Sequence, residues 1–83
     1  MSAWFKQEGY PFLVEDAARI ALDFLDRSGQ MDDPVETSRF VVDRIRFMIA
    51  RGQRNRLLLA NRAISAFEQY RKARTIELSL FSG

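Results

Sequence analysis

The chain has 83 residues, of which 47% are hydrophobic and 29% are charged, and its formal net charge is +2. It contains neither cysteine nor histidine, which excludes disulfides, thiolate or imidazole metal sites, and the commonest nucleophile and proton shuttle of enzymes. These totals predict one small domain over residues 1–83 that is not an enzyme and uses no cofactor or metal.

The sequence carries no signal for a membrane or for export. No apolar run reaches the ~18–20 residues that span a bilayer. The stretch "MSAWFKQEGYPF" has neither the basic start nor the continuous apolar core of a secretion signal. We therefore expect a cytoplasmic location, with which the lack of cysteine is compatible.

The charges are unevenly divided along the chain. Residues 1–34 hold three basic and seven acidic groups, whereas residues 35–74 hold ten basic and three acidic groups. Eleven of the thirteen basic residues are arginine, which forms forked hydrogen bonds with carboxylates and phosphates. The interpretation we favour is that the acidic part neutralises the basic part, within one molecule or across a dimer. The alternative is a basic surface for nucleic acid or anionic lipid.

The first predicted helix covers residues 12–28. Its apolar side chains fall on one side of a helical wheel and its charged side chains on the other. Gly29 is the expected C-terminal stop. The residues expected to be buried are Leu13, Val14, Ala17, Ala18, Ile20, Ala21, Phe24 and Leu25.

The stretch "DPVE" predicts the start of the second helix. Asp33 is the expected N-cap, Pro34 the first helical residue, and Glu36 the residue whose carboxylate returns to the cap. A calcium loop that uses Asp26, Asp32, Asp33 and Glu36 is disfavoured, because the glycine is misplaced and the alternating oxygen ligands are missing.

The second predicted helix covers residues 34–51. Phe40 and Phe47 lie outside its main apolar stripe, stacked together on nearly the opposite side and flanked by charged residues. The stripe itself consists of Ser38, Val41, Val42, Ile45, Met48 and Ile49.

The third predicted helix covers residues 55–74. Gly52 ends the preceding helix and Asn55 is the expected N-cap. The apolar face is wide enough to touch two neighbours, and Leu58 is expected to be exposed. That face consists of Leu57, Leu59, Ala60, Ala63, Ile64, Ala66, Phe67, Tyr70 and Ala73.

The two ends depart from the helical pattern. "SAWFKQEGYPF" predicts an aromatic N-terminal arm, and "TIELSLF" alternates apolar and polar residues as a strand does. The tail is expected to pair with the arm or a second copy, to lie over the bundle as a flap, or to continue the third helix. The predicted fold is a mainly α three-helix bundle with an aromatic N-terminal arm and an extended or strand-like C-terminal tail.

The stretch "RGQRNRLLLANR" could be the turn of a DNA-binding helix-turn-helix or the bend of a helical hairpin. Gly52 suits the turn of such a motif. Met48 stands where the motif needs a small residue, and Arg51 and Gln53 stand where it needs apolar ones. We therefore interpret the segment as a solvated hairpin.

Nucleic-acid binding is nevertheless the alternative function. The outer face of the third helix and the turn before it carry side chains of the types that bind phosphates and base edges. These residues are Arg54, Arg56, Asn61, Arg62, Ser65, Gln69 and Lys72.

The function that we favour is protein–protein contact, either with a second copy in a homodimer or with another protein. The two phenylalanines outside the stripe exceed what the core needs, and aromatic residues beside arginines are typical of interface centres. The arm or the tail could instead cover them. A membrane role is disfavoured, because the apolar helix faces are needed by the core. The predicted interface residues are Trp4, Phe5, Phe40, Arg44, Phe47 and Arg51.

Overall fold

Three α-helices form the described part of the chain. The computed structural model gives the backbone of residues 2–82 and the side chains of residues 12–78. The helices are α1 (Ser2–Arg27), α2 (Pro34–Ala50) and α3 (Arg56–Ser82), and each packs against both of the others. No strand occurs in the described backbone. The predicted mainly α three-helix bundle is confirmed. Over the described residues, no helix is both long enough and apolar enough to cross a membrane.

Of the two contacts predicted for the start of α2, the Asp33 N-cap is confirmed and the returning Glu36 carboxylate is not. The Asp33 carboxylate accepts hydrogen bonds from the backbone N–H groups of Val35 at 3.1 Å and Glu36 at 3.2 Å. The Glu36 carboxylate does not return to the cap, however, because it accepts a hydrogen bond from Arg74 of α3 at 2.9 Å. The predicted return contact is therefore wrong, and Glu36 links α2 to α3 instead.

Replacing Asp33 by alanine is expected to lower the free energy of unfolding by about 1 kcal/mol, because two N–H groups of the first turn lose their acceptor. Urea denaturation followed by circular dichroism measures the change. Asp33→Asn keeps an acceptor oxygen and is the matched control. Equal losses in both variants would contradict the capping role.

The turns follow the predicted stop and start signals. Gly29 after α1 has φ +72° and Gly52 after α2 has φ +104°, conformations that residues with a side chain rarely adopt. The Asn55 side-chain oxygen accepts from the N–H of Leu58 at 2.9 Å, which confirms the predicted N-cap of α3. The Arg54 guanidinium donates to the carbonyl oxygen of Ile49 at 2.7 Å and so satisfies an acceptor at the end of α2.

The core lies between the three helices and contains many small residues. Leu25, Ile45 and Leu59, one from each helix, are fully buried, as are two alanines of α1 and two of α3. Thr37 is the buried polar residue of the described side chains, and its hydroxyl donates to the carbonyl oxygen of Asp33 at 2.7 Å. The buried apolar residues are Ala17, Ala18, Ala21, Leu25, Val41, Ile45, Leu59, Ala60, Ala63, Ile64 and Phe67.

Four residues at the edges of the predicted apolar faces are not buried. Phe24 is 47% exposed and Leu57 is 62% exposed, whereas Leu58, which was expected to be exposed, is half-buried. Tyr70 and Ala73 are also exposed. These expectations were wrong because the neighbouring helices cover a narrower arc of each helix than the apolar residues span. Adjacent residues differ by a rotation of about 100°, so a residue at the edge of the apolar face can lie outside the covered arc.

Helix extends further at both ends of the chain than the sequence pattern predicts. α1 begins at Ser2, about ten residues before its predicted start, and the side chains of Trp4 and Phe5 lie outside the described ones. Residues 75–78 belong to α3, and the side chains of the remaining residues of the predicted tail lie outside the described ones. The Thr75 hydroxyl bonds back to the Arg71 carbonyl oxygen at 2.9 Å within this helix.

Candidate interaction surface

Four large side chains form a row along one edge of α2. Phe40, Arg44, Phe47 and Arg51 follow one another at intervals of three or four residues, which places them on the same side of the helix. This edge faces α3. The row contains four of the six residues predicted as a protein interface. The exposure of its two aromatic rings, those of Phe40 and Phe47, shows how much of this predicted interface is accessible to a partner.

Phe40 belongs to the bundle rather than to a free surface. It is half-buried against the core. Its ring meets that of Phe67 edge-on at 5.5 Å between centroids and stacks on that of Tyr70 at 5.0 Å. The expectation that Phe40 stacks with Phe47 away from the core is therefore wrong. Among the described side chains, the rings that cover it come from α3, and the side chains of residues 1–11 and 79–83 lie outside the described ones.

Phe47 remains half exposed, with 50% of its surface accessible. The guanidinium carbons of Arg44 and Arg51 lie 5.5 and 5.4 Å from the centre of its ring. A cation held over an aromatic ring at this distance contributes about 0.5–1 kcal/mol at an exposed site. Phe47 and the two arginines thus form an ordered cluster that no other part of the described chain covers.

This cluster lines an open groove of about 620 Å³ between α2 and α3. The α3 residues beside it, Ser65 and Ala66 among them, are small or polar, whereas Phe40 faces the large rings of Phe67 and Tyr70. The groove therefore lies where α3 provides no large side chain to fill the space. Its lining is Arg44, Phe47, Met48, Arg51, Gly52, Gln53, Arg62, Ser65, Ala66 and Gln69.

The residues predicted to contact nucleic acid are divided by the fold. Arg62, Ser65 and Gln69 line the same groove as Phe47. Asn61 and Lys72 are exposed and lie outside its lining. The groove thus combines residues from both predicted surfaces, although the sequence suggested two separate sites.

The other two residues of that set make contacts within the molecule. Arg56 forms an ion pair with Asp16 of α1 at 3.1 Å. The guanidinium of Arg54 donates to the carbonyl oxygens of Ile49 at 2.7 Å and Gln53 at 3.0 Å. Both arginines therefore also have structural roles where α3 begins.

Ion pairs between helices compensate part of the charge asymmetry inside the molecule. Arg71 pairs with Asp32 of the α1–α2 loop at 2.7 Å, and Arg74 pairs with Glu36 at 2.9 Å. Together with the pair between Arg56 and Asp16, the first of these joins α3 to the acidic residues 1–34, whereas Glu36 belongs to the basic part of the chain. The favoured interpretation of the charge pattern is thus observed in two contacts, both of which are partly exposed.

The groove is the region where this compensation is missing. Among the described side chains, Arg44, Arg51 and Arg62 form no ion pair with a carboxylate. No aspartate or glutamate is among the described residues that line the groove. Residues 44–67 contain six arginines and no acidic residue. The groove therefore presents three positive charges and one exposed ring, an arrangement suited to a ligand with negative charges and an apolar contact.

The described side chains include no group of three or more carboxylates that could hold a metal ion. The residues of the groove include no carboxylate that could act as a general base. The described lining of the groove supplies positive charge, hydrogen-bonding groups and one aromatic ring. Comparison of the chain with protein-family models, curated proteins and solved structures finds no match.

Proposed function

We propose that the protein is a non-catalytic, cytoplasmic interaction module that binds a second copy of itself through the groove between α2 and α3. One observation carries this proposal. Phe47 is half exposed between two guanidinium groups, in a groove whose described lining contains no carboxylate. An acidic partner would neutralise the positive charges and cover the exposed ring at the same time.

The composition of the groove is that of an interface centre. Aromatic residues and arginine are enriched there, and a few such residues provide most of the binding free energy. Phe47 is already held in place by Arg44 and Arg51, so that little side-chain entropy is lost when a partner covers it. Phe47 is therefore the residue on which association should depend most.

Replacing Phe47 by alanine is expected to weaken self-association at least tenfold, because truncation of a central interface residue commonly costs about 2 kcal/mol. Sedimentation velocity from one to a few hundred micromolar measures the association constant. Ile76→Ala is the matched control, since Ile76 on α3 is 51% exposed and lies outside the groove.

Two results would contradict self-association through the groove. The wild-type protein would sediment as a monomer over the whole concentration range, or Phe47→Ala would associate as strongly as the wild type. A loss in Ile76→Ala equal to that in Phe47→Ala would also count against the groove, because it would place the contact elsewhere.

Nucleic-acid binding is the second candidate, favoured by the convergence of Arg62, Ser65 and Gln69 with Arg44 and Arg51 in one groove free of carboxylates. Fluorescence anisotropy with labelled random-sequence single strands and duplexes tests it. Binding to phosphates would weaken steeply between 50 and 200 mM salt and would fall further in Arg62→Gln. The absence of binding at 50 mM salt would eliminate this candidate.

A further inference from the structure

We infer that the second copy enters the groove with the acidic outer face of its α1, so that copies join head to tail rather than as a closed two-fold dimer. This inference rests on the proposed self-association. It adds the identity of the segment that occupies the groove and the symmetry of the assembly. Three features of the structure lead to it: the charge of α1, its availability, and its position relative to the groove.

The outer face of α1 is the acidic surface that matches the groove. Glu15, Asp23 and Asp26 are exposed. They lie on the side of the helix away from the buried Ala21 and Leu25, at rotations of roughly 100–180° from the mean direction of these two residues. Residues 12–28 contain four carboxylates and two arginines, so this stretch carries a net negative charge opposite in sign to that of the groove.

These carboxylates are available to a partner. Glu15 and Asp26 form no ion pair among the described side chains. Asp23 pairs only with Arg27 on the same helix at 3.3 Å, with 55% and 78% of the two side chains exposed. Such exposed pairs contribute little free energy and are easily exchanged.

The other acidic region of the molecule is less suitable. In and after the α1–α2 loop, Asp32 and Glu36 are engaged by Arg71 and Arg74, and Asp33 caps α2. A partner that used Asp32 or Glu36 would have to displace an arginine of α3, and one that used Asp33 would remove the cap of α2. The face of α1 requires no such rearrangement, so it is the better complement for Arg44, Arg51 and Arg62.

The lengths of the two surfaces are also compatible. At 1.5 Å per residue, Glu15 and Asp26 are separated by about 16 Å along α1, whereas Arg44 and Arg51 are separated by about 10 Å along α2. The three arginines of the groove can therefore lie within the span of the acidic face. Opposite charges arranged in this way fix the register of two helices more than they add affinity.

The position of the two surfaces determines the symmetry. Each helix packs against both of the others, and none of the described side chains of α1 lines the groove between α2 and α3. The acidic face and the groove are therefore separate patches of the bundle. A contact between the α1 face of one copy and the groove of the next joins two different patches, which makes it heterologous. Each added copy leaves one groove and one acidic face unused, and the assembly can continue to grow.

Two variants with complementary defects test this arrangement. Arg62→Glu disables the groove and leaves the α1 face intact, whereas the double substitution Glu15→Lys and Asp26→Lys disables the face and leaves the groove intact. All three positions are exposed, so the fold should be retained, which thermal unfolding by circular dichroism checks. The measurement is the weight-average mass by sedimentation equilibrium for each protein and for their equimolar mixture.

We expect the wild-type mass to rise with concentration beyond twice the 9.7 kDa of one chain. Each variant alone should associate at least tenfold more weakly. The mixture should associate and stop at two copies, because only one functional groove and one functional face can meet and nothing remains to extend the pair.

The outcomes separate the inference from the proposed function. A wild-type mass that levels off at two copies would overturn the head-to-tail arrangement and leave self-association standing. The head-to-tail arrangement would also be overturned, with self-association still standing, if Arg62→Glu no longer associated while the mass of the α1 double variant rose with concentration as that of the wild type does. A wild-type protein that stays monomeric would overturn both.

Discussion

Replacing Leu25 by alanine is expected to lower the free energy of unfolding by about 2–5 kcal/mol, the range for removing a large aliphatic side chain from a core. Leu25 is fully buried, and its side chain is one of the largest at the centre of the bundle. Five of the eleven buried apolar residues of the core are alanines, whose methyl groups cannot change rotamer to fill the space left behind. Urea denaturation at 25 °C followed by circular dichroism provides the measurement.

The neighbouring residue supplies the control for this prediction. Phe24 precedes Leu25 in the same helix but has 47% of its surface exposed. Phe24→Ala removes more atoms than Leu25→Ala and should nevertheless cost less stability. If Phe24→Ala were the more destabilising of the two, the rotational position of α1 in the bundle would be wrong.

Those two adjacent residues also show what the sequence could and could not predict about burial. The apolar periodicity of α1 placed both on the buried side, because the helical wheel gives a side chain's direction relative to its own helix. Whether an edge position is covered depends on where the other helices lie, which the wheel does not contain. Leu57 and Leu58 show the same effect at the start of α3, where the more exposed of the two was expected to be buried.

The positions where helices end and begin were predicted more accurately than the set of buried residues on each helix. Gly29, Asp33, Gly52 and Asn55 all act where the sequence placed them, through a positive φ or a cap hydrogen bond. These are effects of a few consecutive residues on the backbone, so no knowledge of the tertiary structure is needed. The helical course of residues 75–78 was harder to predict, because an alternation of four or five residues is short enough to fit either a strand or a helix.

The groove illustrates why only part of the candidate site was predictable. The sequence singled out Phe47 with Arg44 and Arg51, all three of which line it. It treated Phe40 as equivalent to Phe47, because the two share a face of α2. Their difference arises from α3, which places rings beside Phe40 and small or polar residues beside Phe47. Pairing the two helices residue by residue outward from Gly52 could have revealed this contrast.

Replacing Ala63 by leucine is expected to lower the free energy of unfolding by about 2–3 kcal/mol, through overpacking rather than through a cavity. Ala63 is fully buried in α3, as are Ala60 of the same helix and Ala17 and Ala21 of α1. Methyl side chains at these positions allow the parallel helices α1 and α3 to approach closely, since the distance between two helix axes depends on the side chains at the contact.

The three extra carbon atoms of leucine at position 63 would therefore have to displace either a helix or a neighbouring core side chain. Ala73→Leu is the matched control, because Ala73 lies on the same helix, is exposed, and involves the same small change in helix propensity. Urea denaturation of both variants should show a large loss of stability at position 63 and almost none at position 73. A neutral or stabilising Ala63→Leu would mean that space exists between α1 and α3, and the close helix contact inferred from the four buried alanines would then be wrong.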